Sequence, residues 1–475
     1  MIDRMYVDGN FTGAVSGDVR PLVDPGNERV LAELPYGGAE DARLALDAAA
    51  KALPAWSAKT AYERAAVLEK AAEIIASRAA EYAPRTAEES GKPLAQARGE
   101  WAGAPGYLRV AAEQARALGG RSIPSRLGPR RIDVTHRPVG VVGVITAWNF
   151  PVYNPNRAVS SALAAGCTAV LRPSEFTPRS AFDYARAFAD AGLPPGVLNV
   201  VHGEPHAVGQ ALLDDPRCRK LAFTGSTRVG KLLMDGASRT VKRLSLELGG
   251  NAPVIVMPDV DVAAVAKGAV TAKLRNAGQV CIAPQRFYVH ASIVDDFVAA
   301  AHAAMEREVL GHALDAKTTL GPLINEAQRD RVARIVDGSV AAGARVVTGG
   351  ARAEGPGYFY RPTLLTDLPA DAPALREEVF GPVMAVVPFE HPDEALERAN
   401  DTEYGLASFV WTRDLRTATR LSEALEFGMV GVNDWYPVTP EAPFGGVKQS
   451  GMGRESGMEG VLEYLEVKTR YVGLS

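Results

Sequence analysis

The strongest constraint on the fold is an alternation of apolar, valine-rich segments with segments of helical periodicity, beginning at residue 139. The first apolar segment is "VGVVGVIT", and "TAVLRPS", "GVLNVVHG", "KLAFTGS" and "VKRLSLELG" follow, each separated from the next by a helical pattern. Strands that alternate with helices indicate βαβ units and a doubly wound parallel sheet. Such sheets bind ligands beyond the carboxyl ends of their strands. The sequence therefore predicts an α/β lobe with a ligand site at that edge.

A second series with the same alternation starts at "APVIVMP" (252–258) and continues to "GMVGVN" (428–433). The part of the chain before residue 118 has apolar residues at helical spacing and is predicted to be helical. The stretch 121–140 is rich in arginine, interrupted by proline and partly alternating, which is typical of a hairpin or arm. The two series predict two α/β lobes with a cleft between them.

Composition narrows the classes of partner. A net charge of −4 gives no reason to expect nucleic acid, and the longest apolar stretch is too short and too rich in Gly and Pro to span a bilayer. The start of the chain carries charges where a signal peptide needs an apolar run. The cysteines at 167, 218 and 281 show no paired spacing, and no HExxH motif is present. These features predict a cytoplasmic protein without disulfides, metal site, membrane segment or nucleic-acid partner.

Polar residues follow several strands of the first series, at the edge where a ligand would bind. "TAWNFP" brings Trp148 and Asn149, "RPSEFTP" brings Glu175, and "GSTRVG" opens a helix. The usual G-x-G-x-x-G fingerprint is missing after the first strand, but a helix N-terminus with the Ser226 hydroxyl can bind phosphate, and Glu175 can accept hydrogen bonds from a ribose. Each signal alone is weak, since "GSTRVG" is more often a plain strand-to-helix turn and an acidic loop residue is more often solvated.

Cys281 lies in "NAGQVCIAPQR", which is predicted to be an ordered loop between a helix and a strand. A thiol with its ordinary pKa of about 8.5 is mostly protonated at neutral pH and needs a base. Glu247, in "LELGG", can take a proton or activate water, and the Asn149 amide can donate to an oxyanion. Taken alone, Cys281 is about as easily explained as a buried inert thiol. Beside a dinucleotide site, the three residues suggest covalent hydride-transfer chemistry.

The sequence blocks together resemble the aldehyde dehydrogenase superfamily over essentially the whole chain. They are "TAWNFP", "AAGCTAVLRPSEFTP", "FTGSTRVG", "LELGGNAPVIV", "NAGQVCIAPQR", "EEVFGPV" and "PFGGVKQSGMGRE". The resemblance implies an α/β fold of the aldehyde dehydrogenase type, with two doubly wound lobes (cofactor and catalytic) and a small β oligomerisation arm. It implies an NAD-binding domain at 1–115 and 138–249, a catalytic domain at 250–446, and an arm and tail at 116–137 and 447–475. It also implies a homodimer or homotetramer.

The resemblance further implies a role for each site residue. Cys281 would attack the aldehyde, Asn149 and the Cys281 backbone amide would hold the oxyanion, and Glu247 would activate the water that hydrolyses the thioester. The cofactor would be NAD, with NADP possible, because Glu175 would repel a 2′-phosphate while Ser174 and Arg172, which replaces the usual Lys, favour one. The implied cofactor residues are Trp148, Arg172, Ser174, Glu175, Gly225, Ser226, Gly230, Leu248, Glu378 and Phe380.

Within the superfamily the chain is most similar to the succinate-semialdehyde dehydrogenase branch. That branch holds the substrate carboxylate with two arginines, which correspond to Arg157 and Arg275, and Thr439 belongs to the implied substrate site. A guanidinium pair binds a carboxylate through charge-assisted hydrogen bonds. Tyr153, Trp435 and Tyr436 favour instead a bulkier aromatic or aliphatic aldehyde, because aromatic walls suit such a substrate.

Alternatives from other classes remain open at this point. A non-redox cysteine acyl-transfer enzyme would use Cys281 and an oxyanion donor but would not need the pyrophosphate and ribose contacts. A coenzyme-A-acylating dehydrogenase would generally lack the glutamate at 247. A non-catalytic, structural role is compatible with the fold, although the presence of Cys281, Glu247 and Asn149 argues against it.

Overall fold

The structure is a computed structural model and describes residues 3–474. The strands of this range are, in chain order, β1 (Met5–Val7), β2 (Asn10–Thr12), β3 (Val19–Val23), β4 (Val30–Pro35), β5 (Arg121–Pro124), β6 (Arg130–Pro138), β7 (Val141–Ile145), β8 (Thr168–Arg172), β9 (Leu198–Val200), β10 (Cys218–Thr224), β11 (Arg243–Glu247), β12 (Ala252–Val256), β13 (Pro284–His290), β14 (Arg345–Thr348), β15 (Thr363–Thr366), β16 (Val383–Phe389), β17 (Ala407–Trp411), β18 (Met429–Val432), β19 (Gly451–Met452) and β20 (Leu465–Gly473). The α-helices are α1 (Ala39–Ala58), α2 (Ala61–Ser90), α3 (Leu94–Ala117), α4 (Tyr153–Ala165), α5 (Pro178–Asp190), α6 (Pro205–Asp214), α7 (Thr227–Ser238), α8 (Val262–Leu274), α9 (Val294–Met305), α10 (Glu326–Ala341), α11 (Pro373–Arg376), α12 (Pro392–Asn400), α13 (Leu415–Ala424) and α14 (Gly457–Leu462).

The first lobe is built on an eight-stranded sheet with the order β19-β11-β10-β7-β8-β9-β1-β2. The five strands from β7 to β11 are parallel, as the first series of apolar segments predicts. All five residues of β7 are buried, which fits a strand that is covered by helices on both faces. The strand order reverses at β7, between β8 and β10, so the crevice for a ligand opens at the carboxyl end of β7.

The prediction that the first part of the chain is helical is wrong for residues 5–35. Strands β1 and β2 form a hairpin that adds to the edge of the first sheet beside β9, and β3 and β4 form a separate two-stranded sheet. The hairpin turns at Asp8 and Gly9, whose φ angles of 48° and 80° suit a two-residue Asp-Gly turn. Strands of three residues carry almost no periodic signal, so the sequence indicates this hairpin only through its Asp-Gly pair.

The second lobe contains a seven-stranded sheet with the order β14-β15-β16-β13-β12-β17-β18. All neighbouring pairs are parallel except β14 with β15, which confirms the second doubly wound lobe. The eight-stranded and the seven-stranded sheet each have their own hydrophobic core. Within residues 3–474, no helix combines the length and the apolar character that crossing a bilayer requires.

A third sheet of β20, β6 and β5 forms the arm. β20 pairs with β6 along nine residues, from Leu465 opposite Pro138 to Gly473 opposite Arg130. The tail segment 447–475 is divided between two regions, because β19 pairs with β11 in the first sheet and α14 contacts α3 and α4. The domain boundaries stay a prediction.

Candidate active site

The predicted nucleophile lies on a strained turn between α8 and β13. A 3₁₀ turn over Arg275–Gly278 follows the helix, and Asn276 and Ala277 have φ angles of 50° and 54° in the left-handed region. Such angles are costly for residues other than glycine and persist only where the surroundings impose them. Here a Cβ on Gly278 would lie 2.0 Å from the carbonyl oxygen of Gly381, so the backbones pack too closely for a side chain. The turn directs Cys281 to the wall of a cavity.

The cavity environment keeps the Cys281 thiol protonated. Burial raises the pKa of Cys281 to about 12, and the nearby Glu247 also raises it while Arg157 opposes the shift. Cys167 and Cys218 are buried too, and burial raises the pKa of each to about 11. Neither lines the cavity, so Cys281 is the cysteine placed to react with a bound molecule. It needs a base that can take its proton.

The Asn149 side chain is fixed by hydrogen bonds on both sides of its amide. Asn149 Nδ2 donates to the carbonyl oxygen of Gln279 at 3.1 Å, and Asn149 Oδ1 accepts from Asn154 Nδ2 at 3.0 Å. The Asn149 carbonyl accepts from Asn276 Nδ2 at 2.9 Å. An amide carries two N–H groups, and only one of those of Asn149 has a partner within residues 3–474. The other is available for an oxyanion near Cys281.

Glu247 ends β11 as a buried carboxyl group. Burial and the neighbouring Glu455 raise the pKa of Glu247 well above its ordinary value, against the opposing effect of Arg157. Glu247 Oε2 has no hydrogen-bond partner in the described part of the chain. A Cβ on Gly445 would lie 2.6 Å from Glu247 Oε1, so a larger residue would displace the carboxyl group. A neutral carboxyl group with an unoccupied oxygen can exchange protons with a water or a thiol.

The residues predicted to bind the adenosine half of the cofactor lie after β8 and β10. Arg172 donates to Glu175 at 2.8 Å and to the Gly203 carbonyl at 3.0 Å, and the Ser174 hydroxyl lies 3.5 Å from Glu175. Burial opposes ionisation of Glu175, but Arg172 outweighs it and lowers the Glu175 pKa. Ser226 is the N-cap of α7, so free backbone N–H groups and the positive end of the helix dipole face its hydroxyl.

Three further predicted cofactor residues pack around this helix start. Gly225 N–H donates to the Glu247 carbonyl at 2.9 Å. A Cβ on Gly230 would lie 2.6 Å from the Leu248 side chain, so the glycine lets α7 approach the segment after β11. These contacts explain why small residues stand at both positions. Direct contact of Gly225, Gly230 and Leu248 with a cofactor stays a prediction.

The residues predicted for the nicotinamide half lie where the two lobes meet. Glu378 accepts a hydrogen bond from the Gly250 N–H at 3.1 Å, and burial raises the Glu378 pKa to about 7. A Cβ on Gly249 would lie 2.6 Å from the same carboxylate. The rings of Trp148 and Phe380 meet edge to face with 5.4 Å between centroids. An acidic side chain, a close glycine backbone and a helix N-terminus near the strand ends suit a dinucleotide, and contact of Glu378 with a ribose stays a prediction.

Cys281 opens into a cavity of about 240 Å³ whose wall includes five aromatic side chains. Arg157 and Arg275 both line it, but their surroundings differ. Arg157 is buried, pairs with Glu455 at 2.7 Å and lies over the Phe444 ring. Arg275 lies over the rings of Phe150 and Tyr436, and no carboxylate of residues 3–474 pairs with it. The cavity is lined by Gly103, Tyr107, Phe150, Tyr153, Asn154, Arg157, Arg275, Val280, Cys281, Ile282, Tyr436, Val438, Pro440 and Phe444.

The residues around the cavity differ in three places from those predicted from the sequence. Thr439 is exposed and does not line it, although its neighbours Val438 and Pro440 do. The expectation that Trp435 forms a wall is wrong, because Trp435 packs in the core of the second lobe against Trp411. Sequence reasoning missed Glu455, although "GMGRE" was among the recognised blocks.

Comparison with known proteins decides the family. The aldehyde dehydrogenase family model matches residues 11–470. The chain belongs to the aldehyde dehydrogenase family. It is 42% identical over 471 residues to the NADP(+) succinate-semialdehyde dehydrogenase of Escherichia coli (strain K12), covering 99% of this chain and 98% of the relative. It is 42% identical to the glutarate-semialdehyde dehydrogenase of Pseudomonas aeruginosa, with 99% and 97% covered.

Solved structures of aldehyde dehydrogenases agree with this fold. The crystal structure of succinate-semialdehyde dehydrogenase from Burkholderia pseudomallei superposes with a TM-score of 0.98 at 41% identity, covering 100% of this chain and 98% of that one. The predictions of family, fold and enzyme class are therefore confirmed. No group of three or more His, Cys, Asp or Glu side chains able to hold a metal ion occurs within residues 3–474.

The high pKa of Cys281 predicts how its alkylation depends on pH. Because reaction needs the thiolate, the rate of modification by iodoacetamide should rise about tenfold per pH unit from pH 7 to 9 without levelling off. Mass spectrometry of the peptides measures the rate at each cysteine. Cys167 and Cys218, which are buried outside the cavity, serve as internal controls and should stay unmodified. A plateau below pH 8 would contradict the assigned pKa.

Proposed function

We propose that this aldehyde dehydrogenase oxidises an anionic semialdehyde to the carboxylic acid, with NAD or NADP, through a covalent intermediate on Cys281. The observation that carries the proposal is the cavity in which Cys281 and the unpaired Arg275 share one aromatic-lined space. Asn149 follows β7 and Glu247 ends β11 in the other lobe; Asn149 is hydrogen-bonded to Asn154 of the cavity wall, and Glu247 is close enough to Cys281 to raise its pKa. A non-redox acyl transferase would have no use for the acidic and helix-terminal groups on the cofactor side.

The residues act in a defined order. The Cys281 sulfur bonds to the aldehyde carbon as the thiol proton passes to a solvent water, and the second N–H of Asn149, with the Cys281 backbone N–H, holds the resulting oxyanion. Bound nicotinamide supplies the acceptor for the hydride that leaves this carbon. The thioester that remains is hydrolysed when Glu247, in its ionised form, takes a proton from an attacking water and then passes it to the departing Cys281 sulfur. The acid is released and Cys281 regains its proton.

The cofactor is held by groups on the neighbouring strand ends. Trp148 and the N-terminus of α7 at Ser226 would contact the pyrophosphate, Glu175 the adenosine ribose, and Glu378 the nicotinamide ribose. The Glu175 carboxylate, charged through its pairing with Arg172, would accept hydrogen bonds from a 2′-hydroxyl and repel a 2′-phosphate. NAD is therefore the preferred cofactor.

Glu175→Ala tests this cofactor preference. Removing the carboxylate leaves Arg172 free to pair with a 2′-phosphate, so kcat/KM with NADP should rise while kcat/KM with NAD falls. A change of about tenfold in their ratio corresponds to one charge-assisted hydrogen bond. Initial rates with both cofactors measure the ratio. A wild-type enzyme that is more efficient with NADP would overturn the assignment of Glu175.

Glu247→Gln tests whether Glu247 acts in hydrolysis of the thioester and not in its formation. The variant should release one equivalent of reduced cofactor rapidly and then turn over slowly, because the glutamine cannot take a proton from water. Stopped-flow absorbance of the reduced nicotinamide records both phases. Cys281→Ala is the matched control: it should show neither phase while still binding NAD. If Glu247→Gln lacks the burst as well, the carboxyl group acts before hydride transfer.

Arg275 is the residue best placed to bind the far end of the substrate. Its guanidinium lies between two aromatic rings, a setting that orients a planar cation while leaving its N–H edge open. Arg157 is engaged with Glu455 and Asn154 instead. The sequence predicted that two arginines bind the substrate carboxylate, and we now assign this role to Arg275 alone. Arg157 instead holds Glu455 beside Glu247.

A bulkier aromatic aldehyde is the second candidate. Tyr107, Phe150, Tyr153, Tyr436 and Phe444 all line the cavity, and aromatic walls favour an apolar or planar substrate. Both relatives named above act on dicarboxylic semialdehydes according to their names, which supports the anionic substrate for this chain.

Arg275→Gln separates these two candidates. With succinate semialdehyde, KM should rise about ten- to hundredfold, as loss of one or two charge-assisted bonds predicts, and kcat should change little. With butanal, an uncharged aldehyde of the same length, both constants should stay near wild type. Arg157→Gln is the control variant and should lower kcat for both substrates alike. Equal losses on both substrates in Arg275→Gln, or a wild-type preference for benzaldehyde, would contradict the anionic substrate.

The oligomeric state and location are further proposals. Val467 and Tyr471 on β20 are exposed apolar residues of the arm, and burial of such residues in a homodimer or homotetramer would remove them from water. A cytoplasmic location is supported by the three unpaired cysteines.

A further inference from the structure

Three polar side chains just before and within the first turns of α3 contact the active-site loops. Lys92 precedes the helix, and Gln96 and Glu100 are spaced by four residues within it, so the latter two are neighbours on the helix surface. Lys92 and Glu100 are each 2% exposed, and Lys92 Nζ lies 2.5 Å from Glu100 Oε2. This ion pair is therefore buried close to the junction of the lobes.

Lys92 and Glu100 both bind the backbone of the loop that carries Asn149. Lys92 Nζ donates to the Asn149 carbonyl oxygen at 2.9 Å. Glu100 Oε1 accepts from the N–H groups of Val152 and Tyr153 at 2.9 Å and 3.1 Å. The pair thus holds the loop between β7 and α4 at its middle and at its α4 end.

Gln96 binds the loop that carries the nucleophile. Gln96 Oε1 accepts from the Asn276 N–H at 2.8 Å. Asn276 is one of the two left-handed residues of the turn, and its side chain donates to the Asn149 carbonyl at 2.9 Å. The Asn149 carbonyl consequently receives one hydrogen bond from Lys92 and one from the nucleophile loop.

We propose that Lys92, Gln96 and Glu100 are positioning residues that fix the Asn149 amide relative to the Cys281 thiol. The inference rests on the role proposed above for Asn149 as the oxyanion donor. An oxyanion donor acts only when it is held where the charge develops, and a displacement of about 1 Å can cost a hundredfold in rate. The three side chains span both loops, so they set this distance directly.

Stability alone does not explain a buried lysine at this place. Burial lowers the Lys92 pKa, against the favourable effect of Glu100. Buried ion pairs often stabilise a protein no better than apolar residues of similar volume do. An apolar pair could not bind the carbonyl of Asn149 together with the N–H groups of Val152 and Tyr153.

The test begins with the double variant Lys92→Met/Glu100→Gln, which removes the charges together and leaves neither one unpaired. We expect a folded protein with an unchanged aldehyde KM, and a kcat lowered about ten- to hundredfold. Arg85→Met is the matched control, because Arg85 pairs with the buried Asp183 between α2 and α5 and contacts neither loop. It should lower the melting temperature but not kcat. A kcat within twofold of wild type in the folded double variant would overturn the proposal.

A double-mutant cycle with Asn149→Ala then shows whether the effect passes through Asn149. If it does, Lys92→Met/Glu100→Gln should lower kcat less than twofold further once Asn149 is absent, because coupled residues are not additive. Full additivity in the cycle would refute the positioning role while leaving the function of Asn149 intact. An Asn149→Ala variant with wild-type kcat would instead refute the oxyanion role itself.

Gln96→Leu carries the test if the double variant fails to fold. Gln96 is only partly buried, so its replacement should leave the fold intact while removing the hydrogen bond to Asn276. We expect the same fall in kcat with the aldehyde KM unchanged. In the Asn149→Ala background, Gln96→Leu should cause no such loss. Wild-type kcat in Gln96→Leu would overturn its place in the positioning set.

Discussion

The hydrogen bonds between the Asn149 loop and the turn at 276–279 are the constraint on which the active site depends. Asn149 follows a strand of the first sheet, whereas Cys281 precedes a strand of the second. Their separation is therefore fixed by the contacts of Asn149 with Gln279 and Asn276. The left-handed turn that presents those partners is retained because Gly278 packs directly against the neighbouring backbone.

Burial sets the protonation state of Glu247 and Cys281. Glu247 and Cys281 both have raised pKa values, because burial disfavours the charged form of each. Arg157 is the cation that opposes both shifts, and it is already paired with Glu455. The site thus holds more acidic groups than this cation can neutralise, which favours the neutral forms of Glu247 and Cys281.

The capacity of the cavity to bind an anionic group depends on which of its arginines already have an acidic partner. Sequence position alone does not distinguish Arg157 from Arg275, since Arg157 follows the "WNFP" block and Arg275 lies six residues before Cys281. In the structure Arg157 belongs to the network around Glu247, while Arg275 faces the cavity between Phe150 and Tyr436. An arginine without an acidic partner is the one able to bind an anionic substrate group.

The sequence by itself determined the two α/β lobes, because apolar strands alternating with helices have few other ways to bury their side chains. It also predicted Cys281, Glu247 and Asn149 as catalytic residues, because they stand in short motifs at strand and helix ends that resemble those of aldehyde dehydrogenases. Only the tertiary structure decided the short N-terminal strands, the core position of Trp435 and the partners of Lys92 and Glu100. These depend on contacts between segments far apart in the chain, and periodicity reports which face of an element is buried, not what that face meets.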